Sequence, residues 1–98
     1  MTAHVVVSDG IVTEFAQEVR ACALGQASAA VLGGAVIGRT PAELAAGRNA
    51  LRAMLTEGAP APEGAFAAAE ALTPARDFPN RHASILLAWE AAAEAAGV

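Results

Sequence analysis

The stretch Val5-Val6-Val7-Ser8-Asp9-Gly10-Ile11-Val12-Thr13-Glu14-Phe15-Ala16-Gln17-Glu18-Val19 decides the architecture. Two runs rich in β-branched residues flank an Asp-Gly pair, a strong short-range hairpin signal because both central residues of a type I′ turn need positive φ. In the second run the alternation predicts Ile11, Phe15 and Val19 on one face and Glu14 and Glu18 on the other. A two-stranded hairpin is marginal alone, so its apolar face must rest on helices or on another strand. The rest of the chain offers helices. Of its 98 residues 28 are Ala and only 4% are aromatic, so the apolar content is mostly small side chains that favour closely packed helices.

Working outward, residues 21–37 predict a helix with Gly38 as its left-handed C′ residue and the Gly33-Gly34 pair inside it, where missing side chains let backbones approach. Thr40-Pro41-Ala42-Glu43 combines an N-cap Thr, a Pro at the first helical position and a Glu three residues after the cap. That is the strongest helix start in the chain. Leu44, Leu51, Met54 and Leu55 form its buried stripe, Arg48 and Arg52 its wet side, and Gly58 its end. Pro60 and Pro62 make 59–63 a turn, 64–72 reads as a short helix and 73–79 as a loop. A last helix over about 80–96 places His82, Ile85, Leu86, Trp89, Ala93 and Ala96 on one stripe, with Ser84 nearly opposite its centre and Gly97 closing it. The expected architecture is a single α+β domain over residues 1–98, an antiparallel hairpin packed on about four helices.

Composition excludes several functions. There is no Lys; six Arg stand against ten Asp and Glu, a net charge of −4, so no basic footprint for nucleic acid exists. The longest uncharged run, 21–38, is interrupted by Gly25, Gln26, Ser28, Gly33 and Gly34 and does not read as a membrane span. The opening MTAHVVVSDG lacks the basic and apolar regions of a secretory signal, so a cytoplasmic protein is expected. Gly33-Gly34 has no strand–loop–helix frame for phosphate, and Ser84 no nucleophile-elbow context. Hydrolase and kinase chemistry therefore finds no support.

What remains is one thiol. Cys22 cannot form an internal disulfide and falls where the second strand gives way to the first helix. Unpaired N–H groups and the dipole at a helix start favour a thiolate, which makes Cys22 a candidate nucleophile or metal ligand, the alternative being a small buried cysteine. His82 sits on an apolar stripe, either hydrogen-bonded in the core or acting as a ligand; His4 is the weaker candidate. Glu90 and Glu94 read as a solvated face.

The hairpin, then Ala21-Cys22-Ala23-Leu24-Gly25-Gln26-Ala27-Ser28-Ala29-Ala30, then Val36-Ile37-Gly38-Arg39-Thr40, then Phe78-Pro79-Asn80-Arg81-His82-Ala83-Ser84-Ile85-Leu86-Leu87-Ala88-Trp89, resembles the IscU/SufU/NifU N-terminal family of iron–sulfur cluster assembly scaffolds over nearly the whole chain. That family carries a G-C-A-x-x-x-A-S-A-S-type segment after a strand, a V-x-G-K-[ST] helix boundary and an F-P-x-R-x-x-C-A-x-L-A-W-type last helix. The resemblance implies a non-enzymatic scaffold that assembles a cluster on three cysteines and a fourth ligand, with a cysteine desulfurase and acceptor apo-proteins as partners. Cys22 matches the second family cysteine, although Ala21 stands where Gly is usual. Ser84 stands at the third, and the element bearing the first would lie ahead of Met1.

The resemblance implies one of three roles. In the first, the chain binds iron or a nascent iron–sulfur cluster (Zn in isolation) through Cys22 and His82, with a partner, a second copy in a homo-oligomer or small thiols completing the ligand set. In the second, Cys22 accepts sulfur as a persulfide. In the third, the chain is a degenerate, non-catalytic protein-binding module.

Overall fold

The computed structural model describes residues 2–98. Strands β1 (Thr2–Ser8) and β2 (Ile11–Glu18) form a two-stranded antiparallel sheet. Both turn residues have positive φ, 53° at Asp9 and 81° at Gly10, as the Asp-Gly pair requires. The register slips once: Val6 faces Glu14 but Val7 faces Val12, leaving Thr13 as an extra residue whose hydroxyl donates to the Val6 carbonyl at 3.3 Å. This bulge overturns part of the expected alternation. One additional residue transfers the inward role from Ile11 to Val12, so Val12 is fully buried while Ile11 is 40% exposed. Phe15 and Val19 still pack against the core.

Helix α1 spans Ala23–Gly33 and is shorter than the 21–37 reading. The Gly33-Gly34 pair ends the helix instead of lying inside it, consistent with the low helix propensity of glycine. The chain then turns so that Val36 is buried beside Leu32. Gly38, at φ 88°, serves a turn rather than a helix cap: its N–H donates to the Val12 carbonyl, and the Val12 N–H donates to the Arg39 carbonyl, both at 2.8 Å. Those two bonds tie the loop to β2.

Helix α2 (Pro41–Glu57) begins as expected. The Glu43 N–H donates to Thr40 Oγ1 at 3.0 Å, and the Thr40 N–H donates to Glu43 Oε1 at 3.1 Å. The Thr40 amide first, with Arg39 beside it, holds the Glu43 carboxyl below the usual carboxylate range. Leu44, Leu51, Met54 and Leu55 are buried, and Gly58 closes the helix at φ 70°.

Residues read as a short helix and a loop form a 3₁₀ stretch over Gly64–Asp77 that is kinked at Phe66 (φ −98°, ψ 15°) and passes through Pro74. Its buried residues explain the pitch. Past the kink, Ala69, Leu72 and Ala75 recur every third position, and at three residues per turn they fall on one line. Arg76 Nε donates to the Met54 carbonyl at 2.9 Å, binding the end of the segment to α2.

Helix α3 (Pro79–Ala95) packs against α1, α2 and β1, so its buried face is broader than a single stripe. Ala88 and Ala92 join Ile85, Leu86, Trp89 and Ala93 in the core. Ser84 lies half-buried toward α1, not opposite the packed face. Trp89 is fully buried and meets Phe66 edge-on at 4.9 Å. No helix among the described residues is long and apolar enough to cross a membrane.

The aromatic pair rests on Gly47 of α2, where a Cβ would lie 2.8 Å from Phe66 and 3.1 Å from Trp89. Gly47→Ala gains about 1 kcal/mol of helix propensity but overpacks the core by about 1–3 kcal/mol. The expected net result in urea unfolding is a modest destabilisation; a more stable variant would show that the aromatic pair yields freely. Thr40→Ala removes an N-cap and should destabilise by about 1 kcal/mol, measured the same way.

Candidate functional site

Cys22 occupies the N-cap of α1, with extended backbone (φ −67°, ψ 174°) between the end of β2 and the first helical turn. The location read from the sequence is the one observed. Its carbonyl accepts the Gln26 N–H at 2.9 Å, starting the helix, while the half-buried side chain reaches toward α3. There Sγ lies 3.5 Å from Ser84 Oγ.

Two features bring α3 this close. Ser28 of α1 is fully buried and donates to the Ile85 carbonyl at 2.6 Å, while Trp89 Nε1 donates to the same hydroxyl at 2.9 Å. Three buried polar groups are satisfied in one relay, as burial demands. One turn earlier, Gly25 supplies clearance: a Cβ there would stand 2.8 Å from Ser84 Oγ, 3.2 Å from the Ser84 carbonyl oxygen and 2.6 Å from Ala21 Cβ.

The surroundings favour the anion. The Ser84 hydroxyl foremost, then the Gly25 amide, with smaller help from the Leu24 amide and Arg81, pulls the Cys22 thiol down from 9.0 to about 7, against a smaller opposing effect of burial. A thiolate accepts hydrogen bonds and lies at the positive end of the helix dipole, so each of these donors favours it. Cys22, Ala23, Leu24, Phe78 and Arg81 line an open hollow of about 310 Å³. Phe78 is 55% exposed at its edge.

His82 is placed differently. Its Nε2 lies 2.9 Å from the Ala75 carbonyl, which only accepts, so Nε2 is a donor and carries a proton. It does not line the hollow beside Cys22. His4 is exposed on β1, remote in sequence from both. Among the described residues no group of three or more His, Cys, Asp or Glu side chains could hold a metal ion.

The sequence reading passed over Phe78 and Arg81 as site residues, and it read Ser84 only for nucleophilic catalysis and as the residue at the third family cysteine. A signal was available in their spacing: positions 78, 81 and 84 recur every third residue at the start of α3, where side chains share a face. The role of Gly25 had no such signal, since a helical glycine acquires meaning only from the residues that pack on it.

No family model matches the chain, and no curated protein matches it. Among solved structures it is similar to the N-terminal part of a nitrogen-fixing NifU-like protein from Brucella abortus, with a TM-score of 0.92 and 50% sequence identity. The alignment covers 95% of this chain and 65% of that one, so the chain spans about two thirds of the length of this relative. The α+β fold, a hairpin against four helical segments, is thus the NifU N-terminal fold. The chain belongs to the IscU/NifU N-terminal-like family.

With its thiol near 7, Cys22 should alkylate with iodoacetamide at a rate that rises through about pH 7 and levels above it. A midpoint in the ordinary thiol range of about 8.5 would contradict the electrostatics described for this site.

Proposed function

We propose that the chain acts in iron–sulfur cluster assembly as a scaffold-type carrier rather than an enzyme, in the cytoplasm, with Cys22 as the thiolate that holds iron or a nascent cluster. The observation that carries this reading is a single thiol, lowered to about 7 at a helix start and opening on a hollow, in a chain half identical to a NifU-like protein. Soft thiolates suit iron and iron–sulfur clusters, and an open site lets the cargo leave for an acceptor apo-protein. One thiolate does not complete a four-ligand site. In this reading Nδ1 is the atom through which His82 would contribute, and a partner, a second copy or small thiols supply the remaining ligands; a cysteine desulfurase is the source of sulfur.

A second reading is favoured by the solitary thiolate itself: Cys22 as sulfur acceptor. Its thiolate attacks the terminal sulfur of a donor persulfide, the new S–S bond forms as the donor's S–S bond breaks, and the donor departs as a thiolate. The transferred sulfur keeps its proton and its oxidation level, so no further oxidant enters.

Iron and acid-labile sulfide per chain after anaerobic reconstitution, in wild type and Cys22→Ser side by side, test the first reading. Cys22-dependent iron and sulfide are expected. Their absence from the wild type, or equal amounts in both proteins, would overturn cluster holding by Cys22.

A further inference from the structure

Resting on the reading of Cys22 as the reactive thiolate, we propose that Ser84 is a positioning residue, its hydroxyl donating to Cys22 Sγ and holding the sulfur in the orientation that faces the hollow beside Phe78 and Arg81. Three observations carry this. Sγ and Oγ lie 3.5 Å apart, although 62 residues separate them in sequence, and among the described residues the Ser84 hydroxyl has no other hydrogen-bond partner. A thiolate has no proton to give, so with Cys22 ionised the hydroxyl must donate. The approach is built into the backbone on both sides. Gly25 leaves the space that any Cβ would take from Ser84 Oγ, and the buried Ser28 hydroxyl holds the next residue of α3 by the Ile85 carbonyl at 2.6 Å. Ser84 is therefore fixed from below while its hydroxyl points at the thiol.

Without that contact the sulfur keeps only the Gly25 and Leu24 amides and Arg81 as donors, and the Cys22 side chain samples its staggered χ1 wells more widely, only some of which present sulfur to the hollow. Ionisation alone accounts for little of the expected effect. A thiolate becomes intrinsically more nucleophilic as its pKa rises, so losing a hydrogen bond changes the rate at neutral pH by only about twofold through that route. A larger fall reports orientation.

The test uses two probes on the whole chain at pH 7: iodoacetamide, which reads reactivity of the thiol, and glutathione persulfide, which reads sulfur uptake by mass. Ser84→Ala should slow both reactions by about fivefold, beyond the ionisation effect, with an unchanged melting temperature, and Ser84→Thr, which keeps the hydroxyl, should restore most of the rate. Ser84→Ala reacting at the wild-type rate, or Ser84→Thr reacting as slowly as Ser84→Ala, would overturn the proposal. Failure of the functional reading looks different. A wild type that alkylates at Cys22 in a Ser84-dependent manner but takes up no sulfur leaves the positioning role standing and removes sulfur acceptance.

Discussion

The contact between α1 and α3 is the constraint on which the rest of the molecule depends. It is made by small residues, Gly25 and Ser28, set against Ser84, Ile85 and Trp89, and it is fixed by the buried hydroxyl of Ser28 between Trp89 Nε1 and the Ile85 carbonyl. In a fully buried setting each of those polar groups would be expensive to leave unpaired, so the relay admits only one register of the two helices. Trp89 then carries the constraint across the core, through its edge-on contact with Phe66, to Gly47 of α2.

The same register makes the site. Cys22 is the residue at which β2 hands over to α1. The Gln17 side-chain amide donates to the Ala29 carbonyl at 2.9 Å and ties the sheet to α1, while the backbone bonds at Val12 tie it to the loop at Gly38 and Arg39. Once α3 is seated, Ser84 comes within reach of the thiol and Phe78 and Arg81 frame an opening beside it. The lowered pKa of Cys22 is thus a product of packing as much as of the helix terminus. The largest influence on the thiol comes from a residue of the last helix, not from its own turn.

Much of this was legible from residues alone where local chemistry is decisive. The Asp9-Gly10 turn, the capping box at Thr40 and Glu43, the left-handed Gly58 and the placement of Cys22 at a strand–helix junction are set by short-range rules. The family resemblance holds as well. The features that escaped the reading depend on partners distant in sequence. The Thr13 bulge exchanged Ile11 for Val12, and the backbone of Val12 is bonded to the distant loop at 38–39. The 3₁₀ segment ran past its expected end at 72 because Leu72 and Ala75 continue one buried line. Ser84 was set on the outer side of α3 because a helical wheel assumes one packed face, whereas α3 is held between two helices.

The central claim is that one thiolate, prepared by this helix contact, is the chemical business end of the chain. It is tested most directly by the native mass of wild type and Cys22→Ser after anaerobic incubation with a cysteine desulfurase, cysteine and ferrous iron. A gain that depends on Cys22, as one sulfur or as iron with sulfide, is the expected result; no gain in the wild type, or an equal gain in Cys22→Ser, would contradict it.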